Sequence, residues 1–293
     1  MAKSLIIALL VLAGCSRPVP FPPVESFSGT NAFHHVAQLV AFGPRPSGSE
    51  ALTRSAGYLQ AQLEAAGLEV ELQEFRAGTP TGPVLFRNVI GRTKSGGGKI
   101  VILGSHYDTK RLANFVGAND AGSSSGALLE LARVLAGQRD LWFVFFDGEE
   151  AVNEYGPADG LWGSKFLVET LKGENKLRSV QAMILLDMVG DRDLKITMPA
   201  NSTPELVQRT FAAAESLGWR EKFSYVLQEI LDDHEPFRVA GVPAVNLIDF
   251  EFGSAPGLND YWHTERDTLD KISPRSLEIV GRTTLRLLEQ LPR

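Results

Sequence analysis

The sequence predicts a single α/β domain with a mostly parallel central β-sheet and helices on both faces, and three observations predict it. Three short apolar runs, at residues 100–103, in Leu141–Phe146 and in "VQAMILLDMVG", lack polar alternation, as strands covered on both faces do. Segments with helical apolar spacing separate them. Each run leads into a turn carrying Asp, Glu or His, the edge at which open α/β sheets bind ligands.

The composition fits that class. The 293 residues are 44% apolar and 22% charged, enough for one full core. A net charge of −6 without a Lys/Arg-rich run argues against a nucleic-acid surface and suits cation binding.

Residues 1–15 read as an address, with Lys3, an apolar core at residues 5–12, and "LAGC" ending in Cys15 resembling a bacterial lipobox. The run is too short to span a bilayer, and Cys15 is the only cysteine, so lipid attachment is the expected use of its thiol. A plain secretory peptide is the alternative. Either way the protein is expected to be exported, anchored in the bacterial cell envelope through lipid alone. Pro18, Pro20, Pro22 and Pro23 mark residues 16–29 as an extended tether. The domain is then expected over residues 30–293.

Its first helix starts near Asn31, with Phe33, Val36, Ala37 and Val40 on one face, and stops at Gly43 and Pro44. His34 and His35 diverge by about 100° on that helix, so they read as surface or packing residues. A second helix covers residues 49–66 and closes at Gly67. "LEVELQEF" alternates and, with "VLFRNVIGRT", reads as a hairpin-like pair. "KIVILGS" then runs to His106 and Asp108. After the acidic turn at Asp120 comes a helix with Leu128, Leu131 and Leu135 aligned, capped by Gly137. The strand Leu141–Phe146, a helix at 163–171 and a strand ending in Asp187 follow. Strand "LKITM", a helix at 203–217, strand "PAVNLI" and a final helix at 274–291 complete the alternation.

The unusual polar residues converge on this scheme. His106, Asp108, Asp120, Glu149, Glu150, Asp187 and His263 all fall at strand exits or in the loops beyond them. Glu149 and Glu150 leave their strand in different directions, so one can ligate a cation while its neighbour stays free as a general base. Carboxylates and histidines without a usable cysteine suit Zn²⁺ in an open catalytic site. Singly, His106 is an ordinary core histidine and Asp120 a helix cap; jointly, such coincidences lose to one site.

"SHYDT", "FVGANDAG…ALLELAR", "FFDGEEA", "LDMVG", "DDHEPFRVAGVPAVNLI" and "YWHTERDT" resemble the metal-dependent aminopeptidase superfamily, and within it the glutaminyl-peptide cyclotransferases, or glutaminyl cyclases. The resemblance runs from about residue 30 to the C-terminus. It implies Zn²⁺ held by Asp120, Glu150 and His263, with Glu149 as acid/base. It makes His106 and Asp187 the completion of a second metal site in the aminopeptidases and part of the pocket lining in the cyclases. It makes Asp108 a partner that orients a site residue. Asp232 joins an acid network, Trp262 flanks the substrate, and a cis bond links Asp120 to Ala121. His234 is expected to support the fold.

Asp232 and Asp233 before His234, where aminopeptidases carry Ser-Asp, and Trp262 directly before His263, favour the cyclase branch. "NDAGSSSGALL" is similar to the aminopeptidases, its serines exclude the disulfide of animal cyclases, and Asn246 replaces a histidine common in cyclases. The cyclase reading implies one zinc and peptide or protein N-termini as substrate, with glutamine converted to pyroglutamate and ammonia released by a monomer. The alternative is a two-zinc aminopeptidase. A non-catalytic binding lipoprotein would need a missing ligand, and none is missing.

Overall fold

The computed structural model describes residues 20–156 and 158–292. The expected signal, its Cys15 and the first residues of the tether lie outside the described residues.

The strands are β1 (Glu69–Thr79), β2 (Gly82–Arg92), β3 (Ile100–His106), β4 (Leu141–Phe146), β5 (Val180–Asp187), β6 (Ile196–Met198), β7 (Phe223–Tyr225) and β8 (Ala244–Ile248). Six of them form the central sheet in the order β1-β2-β4-β3-β5-β8. β4, β3, β5 and β8 run parallel, whereas β1 pairs antiparallel with β2 and β2 with β4. The sheet is therefore mixed. A tight β1–β2 connection can only return the chain antiparallel, while the crossover helices make the remaining pairs parallel. "LKITM" leaves this sheet: its β6 pairs in parallel with β7, a strand that no alternation in the sequence announces.

The helices are α1 (Gly29–Ala41), α2 (Glu50–Ala65), α3 (Ser124–Leu135), α4 (Trp162–Gly173), α5 (Pro204–Ser216), α6 (His234–Val239) and α7 (Pro274–Glu289). Side chains from α1, α2, α3, α5 and α7 pack on Leu103, Phe143, Ile184 and Val245. Those of α4 and α6 pack on Ile102, Val144 and Met183 on the opposite face. Successive residues of each central strand thus enter different cores, which is why the runs carry no polar alternation.

Residues 20–29 lie against the domain. Val24 and Phe27 are buried in the larger core, and Gln138 Nε2 donates to Pro20 O at 3.0 Å. Phe27 is seated on Gly281 of α7, where any Cβ would stand 2.2 Å from its ring. Ser28 then caps α1 by accepting from Asn31 N at 3.2 Å, so the helix begins before Asn31. A proline-rich composition predicts an extended segment, but Val24–Ser26 turn into a 3-10 helix and Phe27 fills a socket on the domain. His34 is exposed and His35 Nδ1 meets Tyr58 Oη at 2.6 Å, in keeping with surface and packing roles.

His234 opens α6 fully buried, with neither ring nitrogen partnered. Burial pushes its imidazole down to about 4 from 6.5.

Two outcomes follow from this packing. Phe27→Ala should lower unfolding free energy by about 3–5 kcal/mol in denaturant titration, since a filled socket is emptied; an effect below about 1 kcal/mol would show the segment is loosely held. Because the folded value for His234 is depressed, its stabilising effect is complete above about pH 6.5 and is lost as pH falls toward 4. That loss is roughly 3 kcal/mol, so His234→Leu should flatten the stability profile across that interval relative to wild type. Identical slopes would refute it.

Candidate metal centre

The parallel strands place their carboxyl ends on one edge, with His106 closing β3 and Asp187 closing β5. His106 pairs in register with Phe146, so the acidic turn after β4 leaves the sheet beside it. Gly148 turns the chain at φ 75, and a Cβ there would lie 2.5 Å from the Phe86 ring. Only glycine fits, and the turn sends Glu149 and Glu150 toward the same cavity by different routes.

Asp120 enters from the irregular turn Ala118–Ser123 that precedes α3. The cis bond implied between Asp120 and Ala121 is absent, and this peptide is trans. The chain reverses through Ala121 at φ 76 and ψ −37, a conformation costly for a residue with a Cβ. Asp267 explains how it is held: its carboxylate accepts Asn119 N at 2.7 Å and Asp120 N at 2.9 Å. With both amides fixed, the reversal falls to the next φ. From below, the fully buried Arg45 donates to Tyr107 O, Val116 O and Gly117 O at 3.0, 2.6 and 3.1 Å.

The side chains meet as two triads sharing Asp120. Asp120, Glu150 and His263 each offer a ligand atom within 4.8 Å of the others, and so do His106, Asp120 and Asp187. His263 Nε2 lies 3.1 Å from Glu150 Oε1 and 3.3 Å from Asp120 Oδ2. His106 Nε2 lies 3.1 Å from Asp187 Oδ1 and 3.2 Å from Asp120 Oδ1. Glu149 belongs to neither triad; its Oε2 is 4.0 Å from His106 Nδ1.

Charge makes this arrangement demanding. Burial raises Glu149 well above the usual carboxylate range, with Glu150, Asp232 and Asp233 adding to it and His106 opposing. Burial raises Glu150 and Asp187 as well. Asp120 goes the other way: burial would raise it, but His106 and His263 hold it below the usual range. Burial would lower His263, and Asp120 and Glu150 reverse this to about 9. So much buried negative charge with so few cations calls for a metal ion. The donors suit one: the triads offer imidazole nitrogen and carboxylate oxygen, and Asp120 Oδ2 is buried without a properly formed hydrogen bond.

The surroundings orient the donors. Asp108 accepts Glu149 N at 3.2 Å and Glu150 N at 3.3 Å, so it holds the backbone of the glutamate pair. Asp232 Oδ2 accepts from Asn246 Nδ2 at 2.7 Å, which gives the asparagine at the position of the cyclase histidine a clear task. Trp262 stacks on the His263 ring at 4.0 Å and meets Phe250 edge-on at 5.1 Å. Several neighbours carry no site role in the sequence pattern. Asp233 is buried with Oδ2 unpartnered. Asp147 is pushed up to about 8 by burial and by Asp108. Lys110 Nζ lies 3.6 Å from Glu150 Oε2, and Tyr155 Oη meets both glutamates. Asp147, Asp233 and Asp267 sit inside the quoted motifs and could have been found there; Tyr155 and Lys110 stand in stretches with no pattern.

A sequence profile of Peptidase family M28 matches residues 88–288. The glutaminyl-peptide cyclotransferase-like protein of Mus musculus is 30% identical over 272 residues, covering 81% of this chain and 70% of its own length. The crystal structure of an Acidobacteriales bacterium glutaminyl cyclase superposes with a TM-score of 0.84 at 33% identity, covering 98% of each chain. A Zn-dependent exopeptidase from Parabacteroides distasonis superposes at 0.82 with 28% identity, covering 93% of this chain and 100% of that one.

Fold and site together define a zinc-aminopeptidase-like α/β domain. The chain belongs to Peptidase family M28, in its glutaminyl cyclase branch.

Asp267→Ala should weaken binding of added Zn²⁺ by about 10- to 100-fold in a chelator-competition titration, because the turn that aims Asp120 loses both its anchors. Affinity within twofold of wild type would show that Asp267 does not position this ligand.

Proposed function

We propose that the protein is a zinc-dependent glutaminyl-peptide cyclotransferase. It converts an N-terminal glutamine of a peptide or protein to pyroglutamate and releases ammonia. The observation that carries this reading is Glu149, a buried carboxyl beside the triad of Asp120, Glu150 and His263 and outside it. The relatives named glutaminyl cyclases supply the reaction class.

In this reading Asp120, Glu150 and His263 hold one zinc ion, which when bound supplies a Lewis acid for the γ-carboxamide carbonyl. Glu149 accepts a proton as the α-amine nitrogen bonds to the carbonyl carbon. It then returns that proton to the amide nitrogen as the carbon–nitrogen bond breaks, so ammonia leaves and the carboxyl is reset. A group that alternates in this way works best with a value near neutrality, and the burial that raises Glu149 favours it. Asp187 and Asp232 steady the positive charge that develops on the amine. Trp262, stacked on His263, forms one wall for the glutamine side chain. Asp108 fixes the backbone from which Glu149 and Glu150 project. His106 lines the site.

One observation favours a second reading. The triad of His106, Asp120 and Asp187 shares Asp120 with the first, as a two-zinc aminopeptidase would require, and Glu149 would then be the base for removing N-terminal residues. The residues alone allow both. For its location, Cys15 is the proposed lipidation site of an exported protein tethered to the cell envelope, and no described helix is long and apolar enough to cross a membrane.

Incubation of the purified protein with a glutaminyl peptide and with a leucyl amide, followed by assays for ammonia and free leucine, separates the readings. The cyclase reading expects ammonia without leucine and one zinc per chain; leucine without ammonia and two zinc ions would overturn it. Glu149→Gln should reduce turnover by about 10²- to 10⁴-fold with zinc still bound. Loss of the zinc with it would mean that Glu149 is a ligand instead.

A further inference from the structure

Tyr155 has no role in the reaction as derived, yet its hydroxyl lies 3.0 Å from Glu149 Oε2 and 3.1 Å from Glu150 Oε2. It comes from the loop between the acidic turn and α4, and that loop is built to bring it back. Leu161 N donates to Glu149 O at 3.0 Å and closes the base. Near the tip, the Asp159 carboxylate accepts Val152 N at 2.7 Å and Asn153 N at 2.9 Å, while Gly156 N donates to Asp159 O at 2.9 Å. Lys165 Nζ from α4 donates to Gly156 O at 3.0 Å and Gly160 O at 2.8 Å. Lys110 Nζ lies over the ring, 5.1 Å from its centroid, and 3.6 Å from Glu150 Oε2. The phenol is therefore held by its loop and by Lys110, and among the described residues its hydrogen-bond partners are the two glutamates.

We propose that Tyr155 is a positioning residue for Glu149: its hydroxyl ties down Glu149 Oε2, keeps that carboxyl out of the metal triad, and leaves Oε1 as the oxygen that faces the reacting amine. A phenol has one proton to donate, so it can satisfy only one glutamate fully at a time. Glu150 already accepts from Lys110 N at 3.1 Å and contacts His263, whereas the Glu149 carboxylate accepts no hydrogen bond other than Tyr155's among the described residues. The donor consequently matters most to Glu149. A carboxylate on a flexible side chain loses catalytic power once it can swing, because the proton acceptor must stay within hydrogen-bond reach of the amine. Two adjacent glutamates near one cation make the swing costly in a second way: an untied Glu149 becomes an extra ligand. This inference rests on the role given to Glu149 above.

The test uses the zinc-loaded full chain. Tyr155→Phe should lower kcat for ammonia release about 10- to 100-fold, with KM and zinc per chain within twofold of wild type. Tyr155→Trp, which fills the space without a hydroxyl at that point, should show the same loss; wild-type kcat in either variant overturns the proposal. Zinc affinity, measured by chelator competition without substrate, should not fall, since a freed Glu149 can only add a ligand, and a tenfold drop would place the role at Glu150 instead. In a Glu149→Gln background, Tyr155→Phe should cause no further loss, since both changes remove one unit; a full second loss overturns it. If wild type releases leucine and no ammonia, the cyclase reading has failed. The same variants then score Tyr155 on the leucyl amide, because Glu149 is the base in both readings.

Discussion

The constraint on which the structure depends is electrostatic: a parallel sheet delivers Asp120, Glu149, Glu150 and Asp187 to one buried place. Asp108, Asp147, Asp232, Asp233 and Asp267 surround them in the next layer, all of them buried too. Carboxylates do not gather out of water without compensation. Three kinds of compensation are present. Backbone amides point at Asp108 and Asp267, burial raises Asp147 to about 8 and Asp233 to about 7 and so favours their neutral forms, and imidazoles lie against Asp120. A metal ion would be a fourth kind, and Asp120, which His106 and His263 hold below its usual range, is the acid shared by both triads.

That distribution explains why so much machinery sits behind the site. Asp120 presents Oδ1 to His106 and Oδ2 to His263, so the turn that carries it must be stiff. Arg45 ties three carbonyls before it, Asp267 ties two amides within it, and Ala121 takes a conformation that nothing but such fixing would sustain. The glutamate turn is stiffened differently, by Gly148 against Phe86 and by Asp108 under two successive amides. A loose carboxylate near a cation finds some ligand geometry; only a fixed one leaves its neighbour free for proton transfer.

Legibility in the sequence followed periodicity. The four parallel strands were readable because two-faced burial leaves apolar runs, and the residues at their ends were readable because chemistry is placed at strand exits. What escaped was set by tertiary fit. The pairing of β6 with β7 depends on two three-residue segments far apart in sequence. The docking of Phe27 depends on a glycine in the last helix. The turn that carries Asp120 is anchored by an aspartate 147 residues away. Tyr155 was invisible because its loop is held by Asp159 and Lys165, and neither their spacing nor that of the tyrosine makes a pattern.

The shared Asp120 also sharpens what one-metal and two-metal chemistry mean for this chain. His106 faces Asp108, Asp120 and Asp187, and their pull outweighs burial to raise its imidazole well above 6.5. A protonated His106 already compensates the carboxylates of the second triad. A cation bound there would need the imidazole neutral, with its nitrogen lone pair turned to the ion. Proton and second ion are therefore alternatives at one place, and each excludes the other. The first triad differs, since His263 approaches Glu150 and Asp120 from a half-buried loop and can surrender its proton to solvent when a metal arrives. Without an ion beside it, His106 lies 4.0 Å from Glu149 Oε2 and opposes the upward shift that burial gives that carboxyl.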